Sequence, residues 1–113
     1  MHEYSIVQAL IERVEAEARA RNATAVHRLE VKIGALSGVE TSLLATAFQL
    51  FRERTICEGA ELTIEAAPAS WACRDCGAGI AAGEVLRCAA CGGYARLTSG
   101  DEILLERIEM EVA

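Results

Sequence analysis

Hydrophobic residues repeat with two different periods along this chain, and each switch of period marks a new element. Ile6, Val7, Leu10, Ile11, Val14 and Ala18 recur every three or four positions, with Glu12, Arg13, Glu15, Glu17 and Arg19 on the opposite side. That spacing predicts an amphipathic helix over 4–21, ending near Asn22. Leu29, Val31 and Ile33 then alternate with Arg28, Glu30 and Lys32. Period two is the signature of a half-buried strand, here over 28–34. Gly34 ends it, and Ser37-Gly38 turns the chain. Helical spacing returns with Leu43, Leu44, Ala47, Phe48, Leu50 and Phe51, predicting a second helix over 41–53. Ser37 and Glu40 have the spacing of a capping box, and Thr41 is an alternative cap.

A second alternating run, Glu61-Leu62-Thr63-Ile64-Glu65-Ala66, predicts a strand that Pro68 closes. Near the C-terminus Ile108, Met110 and Val112 alternate with Arg107, Glu109 and Glu111, while Ile103 and Leu105 sit in the opposite phase. That strand is therefore either bulged or covered on both faces. The expected fold class is α+β: two helices packed on a small three-stranded sheet. Residues 71–99 break the pattern. They hold four of the five cysteines, five of the nine glycines and too few apolar residues for a core of their own. The expected organisation is one α+β domain, 1–70 plus 100–113, with an inserted zinc-ribbon-like lobe at 71–99.

Composition changes this picture in two ways. The chain has 113 residues, 52% hydrophobic but only 4% aromatic, so the core must be aliphatic and thin. A metal cross-link would help a peripheral segment fold. The formal net charge is -6, and four thiolates around one Zn(II) would add two more negative charges. Such a surface repels phosphate backbones and anionic membranes and suits cations, metal ions and basic protein partners. Met1-His2-Glu3-Tyr4-Ser5 has no basic region followed by an apolar run, and no segment reaches the length of a membrane span. A cytoplasmic location is expected, where thiols stay reduced and paired CxxC units read as metal ligands.

Cys73-Arg74-Asp75-Cys76-Gly77 and Cys88-Ala89-Ala90-Cys91-Gly92 are two copies of one device. Two cysteines separated by two residues bend around a metal with both sulfurs on one side. The glycine after each pair relieves crowding where main-chain N–H groups turn towards the sulfurs. Two such knuckles complete a tetrahedron of soft thiolates, which favours Zn(II) over hard cations. A redox role needs only one CxxC opening a helix in a βαβ setting, which the pattern lacks. Iron in a rubredoxin-like site is the other metal that these ligands accept. Four protein ligands leave no open position, so the zinc is expected to be structural. Cys57 stands alone and reads as a small buried hydrophobe rather than a nucleophile. His27 precedes the first strand and reads as a solvent-facing residue.

Four stretches carry a resemblance across nearly the whole chain: Met1-His2-Glu3-Tyr4-Ser5, Val31-Lys32-Ile33-Gly34-Ala35-Leu36-Ser37-Gly38-Val39, the region from Phe48 to Gly59, and the two knuckles. With them the chain resembles the HypA/HybF hydrogenase nickel-incorporation proteins. The resemblance implies a nickel metallochaperone that binds Ni(II) at its N-terminus through the His2 side chain and nearby main-chain nitrogens. It brings Glu3 into that site, and it extends to a carboxylate at the start of the second helix, here Glu40. The family pattern allows Asp or Glu there, and the longer arm changes its reach. The chemistry is coherent on its own terms. His2 is one peptide bond from the terminal amine, so its imidazole, its amide nitrogen and the amine form adjacent chelate rings. Nitrogen-rich planar or tetragonal sets suit Ni(II), and amide ligation requires proton loss.

The partners implied are a HypB-type GTPase and the NiFe-hydrogenase large subunit, with a homodimer as a further assembly; some relatives also share a role in urease maturation. Nothing in the chain resembles a P-loop, so nucleotide chemistry would stay on the partner and no enzyme activity is expected here. A rival reading is a zinc-ribbon nucleic-acid-binding or protein-interaction module without a transported metal. A nucleic-acid module should show a basic stripe interleaved with aromatics. The insert offers Arg74, Arg87 and Arg96 against Asp75 and Glu84, with only Trp71 and Tyr94 as aromatics.

Overall fold

Amphipathic periodicity becomes burial in the computed structural model, which describes residues 2–81 and 85–113, the side chain of His2 excepted. The first helix, α1 (His2–Ala20), buries Val7, Leu10, Ile11, Val14 and Ala18. It carries Glu3 in its first turn and Arg19 in its last, each the charge that complements that end of the helix dipole. Asn22 follows with φ 55°, the left-handed conformation that stops a helix and that Asn tolerates better than most residues. The helix starts two residues before the predicted position and ends one residue short of it.

Strand β1 (Ala23–Gly34) buries Val26, Leu29, Val31 and Ile33. It begins five residues before the predicted start. The early stretch Ala-Thr-Ala has no hydrophobic alternation of its own and is held by cross-strand bonds instead. Thr24 Oγ1 donates to the Glu111 carbonyl at 3.3 Å, and the Ala113 N–H donates to the Asn22 carbonyl at 3.4 Å. His27 therefore lies inside β1 rather than ahead of it. It is exposed, with Nε2 3.2 Å from Glu111 Oε1.

Helix α2 (Thr41–Phe51) buries Leu44, Ala47 and Phe48. Arg52 caps its C-terminus, and Arg54 at φ 64° reverses the chain, so the helix ends two residues before the predicted limit. The predicted capping box does not form. Glu40 is itself the N-cap, and its side chain makes no capping bond.

Strands β2 (Glu61–Ala67) and β6 (Ile103–Val112) flank β1 in the order β2-β1-β6. The sheet keeps a charged face. Arg28 reaches Glu61 at 3.4 Å and Arg107 reaches Glu30 at 3.9 Å, exposed pairs that tie the three strands but add little stability. No residue of β6 is fully buried, and its half-buried positions fall in both phases, Leu105 and Glu109 in one and Ile108 and Met110 in the other.

Within the insert, β3 (Ser70–Cys73), β4 (Gly79–Ile80) and β5 (Ala95–Ser99) form a second antiparallel sheet in the order β4-β3-β5. Periodicity gave no sign of it, because strands of two to five residues are too short to show one. The result is the α+β class with two helices, a small three-stranded sheet and a cysteine-bearing insert. The chain divides into two units: Met1–Lys32, Val39–Glu65 and Leu104–Ala113, and separately Ile33–Gly38 with Ala66–Ile103. The first holds most of the aliphatic core. Fully burying each Leu, Ile, Val or Phe contributes about 1.5–3 kcal/mol. In the second, the buried hydrophobic residues among those described are Ile33, Ala67, Ala72, Cys73 and Cys88. Among the described residues no helix is long and apolar enough to cross a membrane.

Candidate metal centre

The two CxxC segments adopt the same turn. Gly77 N–H donates to the Cys73 carbonyl at 3.1 Å, and Gly92 N–H donates to the Cys88 carbonyl at 2.8 Å. Each glycine has a left-handed backbone, φ 78° and 75°, which side chains rarely adopt. On the entry side, Cys73 N–H bonds the Ala78 carbonyl and Cys88 N–H bonds the Gly93 carbonyl, both at 2.8 Å. The repeated bonds point both sulfurs of each segment to one side.

The four sulfurs of Cys73, Cys76, Cys88 and Cys91 lie within 4.8 Å of one another. Cys73 and Cys91 are 3.4 Å apart and Cys76 and Cys88 3.6 Å. A tetrahedron with metal–sulfur bonds of about 2.3 Å has edges of about 3.8 Å, so the cluster fits a zinc-sized ion. All five cysteines are free thiols. Cys73 and Cys88 are buried, Cys76 and Cys91 exposed.

Backbone N–H groups set the electrostatics. The N–H groups of Cys76 and then Asp75 aim at Cys73 Sγ, at 3.5 and 3.4 Å, and pull its thiol down to about 6. The N–H groups of Cys91 and Ala90 lower Cys88 in the same way. The second cysteine of each segment behaves oppositely. Cys91 receives the Gly93 N–H, but its hydrogen bonds with the neighbouring thiols outweigh that and push it to about 12. Cys76 receives the Ala78 N–H and is still raised, by Cys88 and Cys73. Four thiolates this close repel one another, and a cation among them removes the conflict. The donor set, spacing and preset N–H groups fit a structural zinc.

Gly93 belongs to this site and escapes a reading based on spacing. A Cβ there would meet Asp75 Oδ2 at 2.6 Å and Cys73 Sγ at 2.8 Å. The signal available in sequence is the doublet Gly92-Gly93, where the other knuckle has Gly77-Ala78. Cys57 is fully buried, and its N–H donates to Thr55 Oγ1 at 3.1 Å. Burial first, then the charge of Glu15, raises its thiol to about 11 against the Thr55 hydroxyl, so it offers no nucleophile at neutral pH.

The other predicted site residues sit in the first unit. Met1 and the His2 imidazole lie outside the described residues, as does Glu84. The backbone of His2 opens α1. Glu3 and Glu40, thirty-seven positions apart, meet: Glu3 Oε2 accepts the Glu40 N–H at 3.1 Å. Ser42 Oγ donates to Glu40 Oε1 at 3.2 Å, holding that carboxylate at the start of α2.

Fold and cluster define a small α+β metal-binding protein. Residues 1–110 match the family described as hydrogenase/urease nickel incorporation, metallochaperone, HypA. Hydrogenase maturation factor HypA of Shewanella oneidensis is 46% identical over 100% of this chain and 98% of its own. The Aquifex aeolicus factor of the same name is 42% identical over 99% of each. The solution structure of the Ni metallochaperone HypA from Helicobacter pylori superposes with a TM-score of 0.78 at 32% identity, covering 98% of both chains. The chain belongs to the HypA family, whose work is nickel incorporation. A nucleic-acid-binding zinc ribbon is not favoured.

Proposed function

We infer that this chain accepts Ni(II) as cargo at its N-terminal end and delivers it for maturation of the NiFe-hydrogenase large subunit, while Cys73, Cys76, Cys88 and Cys91 hold a structural zinc. The nickel ligands are the terminal amine, the amide and imidazole of His2, and carboxylates from Glu3 and Glu40. The observation that carries this reading is the hydrogen bond from Glu40 to Glu3. It brings the backbone of Glu40, at the start of α2, against the Glu3 carboxylate in the first turn of α1, where His2 begins the helix. Nitrogen-rich ligands with oxygen donors suit Ni(II), whereas a closed thiolate set suits zinc.

The protein performs no catalysis itself. It works in the cytoplasm with a HypB-type GTPase, which supplies the nucleotide chemistry, and it assembles as a homodimer. The domain division follows the same logic: 1–70 plus 100–113 handle nickel, and 71–99 form the zinc lobe. Calorimetric nickel titration of untagged, zinc-loaded protein tests the assignment, alongside His2→Ala and a version with extra N-terminal residues. The untagged protein should bind one nickel, and the two variants should lose that binding with zinc content unchanged. Full nickel binding by the extended version would contradict ligation by the terminal amine.

A further inference from the structure

Strand β6 stands at one edge of the first sheet, with β1 on one side and, among the described residues, no strand on the other. An edge of ten residues presents N–H and C=O groups that template another strand. An open groove of about 310 Å³ follows it, between Arg13, Glu17 and Arg21 of α1 and residues of β6. Leu105, Glu106, Arg107 and Ile108 all line the groove. Successive side chains of a strand point to opposite faces, so a groove touched by four in a row lies at the strand's edge. Leu104 and Val112, near the two ends of the strand, are 48% and 53% exposed.

We propose that two copies of this chain pair through β6, antiparallel and centred on Ile108, to make one continuous six-stranded sheet. The proposal deepens the homodimer reading above and rests on it. The charge pattern of the strand selects a second copy as the occupant. Centred on Ile108, Leu104 faces Val112 of the second copy, Arg107 faces Glu109, and Ile108 faces itself. Each unlike pair occurs twice, as an isologous contact requires. Glu106 falls opposite Met110 and Glu111 opposite Leu105, so no like charges meet. A shift of one residue in the pairing sets Glu106 against Glu109 in one direction and against Glu111 in the other. Like charges directly opposite destabilise a pair of strands, which fixes the register.

The side chains are available for this. Arg107 is 66% exposed and Glu109 38%, and Arg107 Nε is 3.8 Å from Glu109 Oε2 within the strand. Its reach to the same residue of a second copy needs only a change of rotamer. Arg13, which makes no ion pair among the described residues, lines the groove that the second copy's Glu106 would enter.

Sedimentation of the zinc-loaded full chain over a range of concentrations, with Arg107→Glu and the exchange Arg107→Glu/Glu109→Arg, tests the interface. Both positions face solvent, and far-ultraviolet circular dichroism checks that the variants fold. The native chain should show a reversible dimer. Arg107→Glu should raise its dissociation constant by about tenfold or more, because two like-charge pairs replace two attractive ones. The exchange should bring it back. A native chain that stays monomeric at every concentration overturns the homodimer as well as the interface. A native dimer that Arg107→Glu leaves intact, or that the exchange does not restore, overturns the β6 interface alone.

Discussion

The two units of this chain are stabilised by different means. The first packs two helices on a sheet and closes over Val7, Val14, Leu29, Val31, Leu44 and Phe48, each at most 1% exposed. The second has, among the described residues, five buried hydrophobic ones, two of them cysteines of the metal cluster. Apolar burial holds one unit, and four sulfurs around a cation hold the other. Binding free energy at such a metal centre is folding free energy. A metal placed where the core is thinnest serves the fold.

Removing the metal should give the largest effect. Cys88→Ser, or chelation of zinc, should collapse the amide dispersion of residues 70–99 in a nitrogen–proton NMR spectrum, while α1 amides keep their positions. Loss of dispersion across α1 as well would show that the units do not differ in this way. Next in size is Phe48→Ala, which opens a cavity in the aliphatic core. It should cost about 3–5 kcal/mol in the urea unfolding of the first unit and leave zinc content unchanged.

The third prediction concerns pH. The Cys57 thiol ionises near 9 in the unfolded chain and is held protonated to about 11 in the fold. A raised acid stabilises the fold fully below pH 9, and that contribution fades as pH rises towards 11. The rise from 9 to about 11 corresponds to about 2–3 kcal/mol. Unfolding of the first unit should show that decline, and Cys57→Ala should remove it. A variant with the native pH dependence would place the effect elsewhere.

The smallest effects separate the units by backbone strain. Gly92→Ala forces a side chain into φ 75° and should cost about 1–2 kcal/mol, read as weaker zinc retention against a chelator. Asn22→Ala, at φ 55°, should cost about 1 kcal/mol, read in the first unit's unfolding alone. A crossed pattern would contradict the assignment of each residue to its unit.

Legibility in the sequence followed the range of the interactions. The helices and the later half of β1 were readable because burial imposes a period on neighbouring residues. The thiol cluster was readable because each half of it is a local turn with fixed spacing. The early residues of β1 were not, since Ala23-Thr24-Ala25 carries no period and the bonds there are long-range, from Thr24 Oγ1 to the Glu111 carbonyl and from the Ala113 N–H to the Asn22 carbonyl. The capping box was misread for a related reason. Glu40 pairs through its N–H with Glu3 on another helix rather than through its side chain with Ser37. Gly93 was missed because the crowding that requires it comes from Asp75 and the Cys73 sulfur, nearly twenty positions away. Membership of the HypA family was legible because its markers are four local stretches spread from Met1 to Gly92.

The central claim is a division of labour between two metal centres, and X-ray absorption at both metal edges tests it most directly. The sample is one untagged protein loaded with one zinc and one nickel. The zinc edge should report four sulfurs at about 2.3 Å. The nickel edge should report nitrogen and oxygen alone. Sulfur around nickel, or zinc with fewer than four sulfurs once nickel is bound, would mean that the thiolate cluster carries the cargo and would contradict the account.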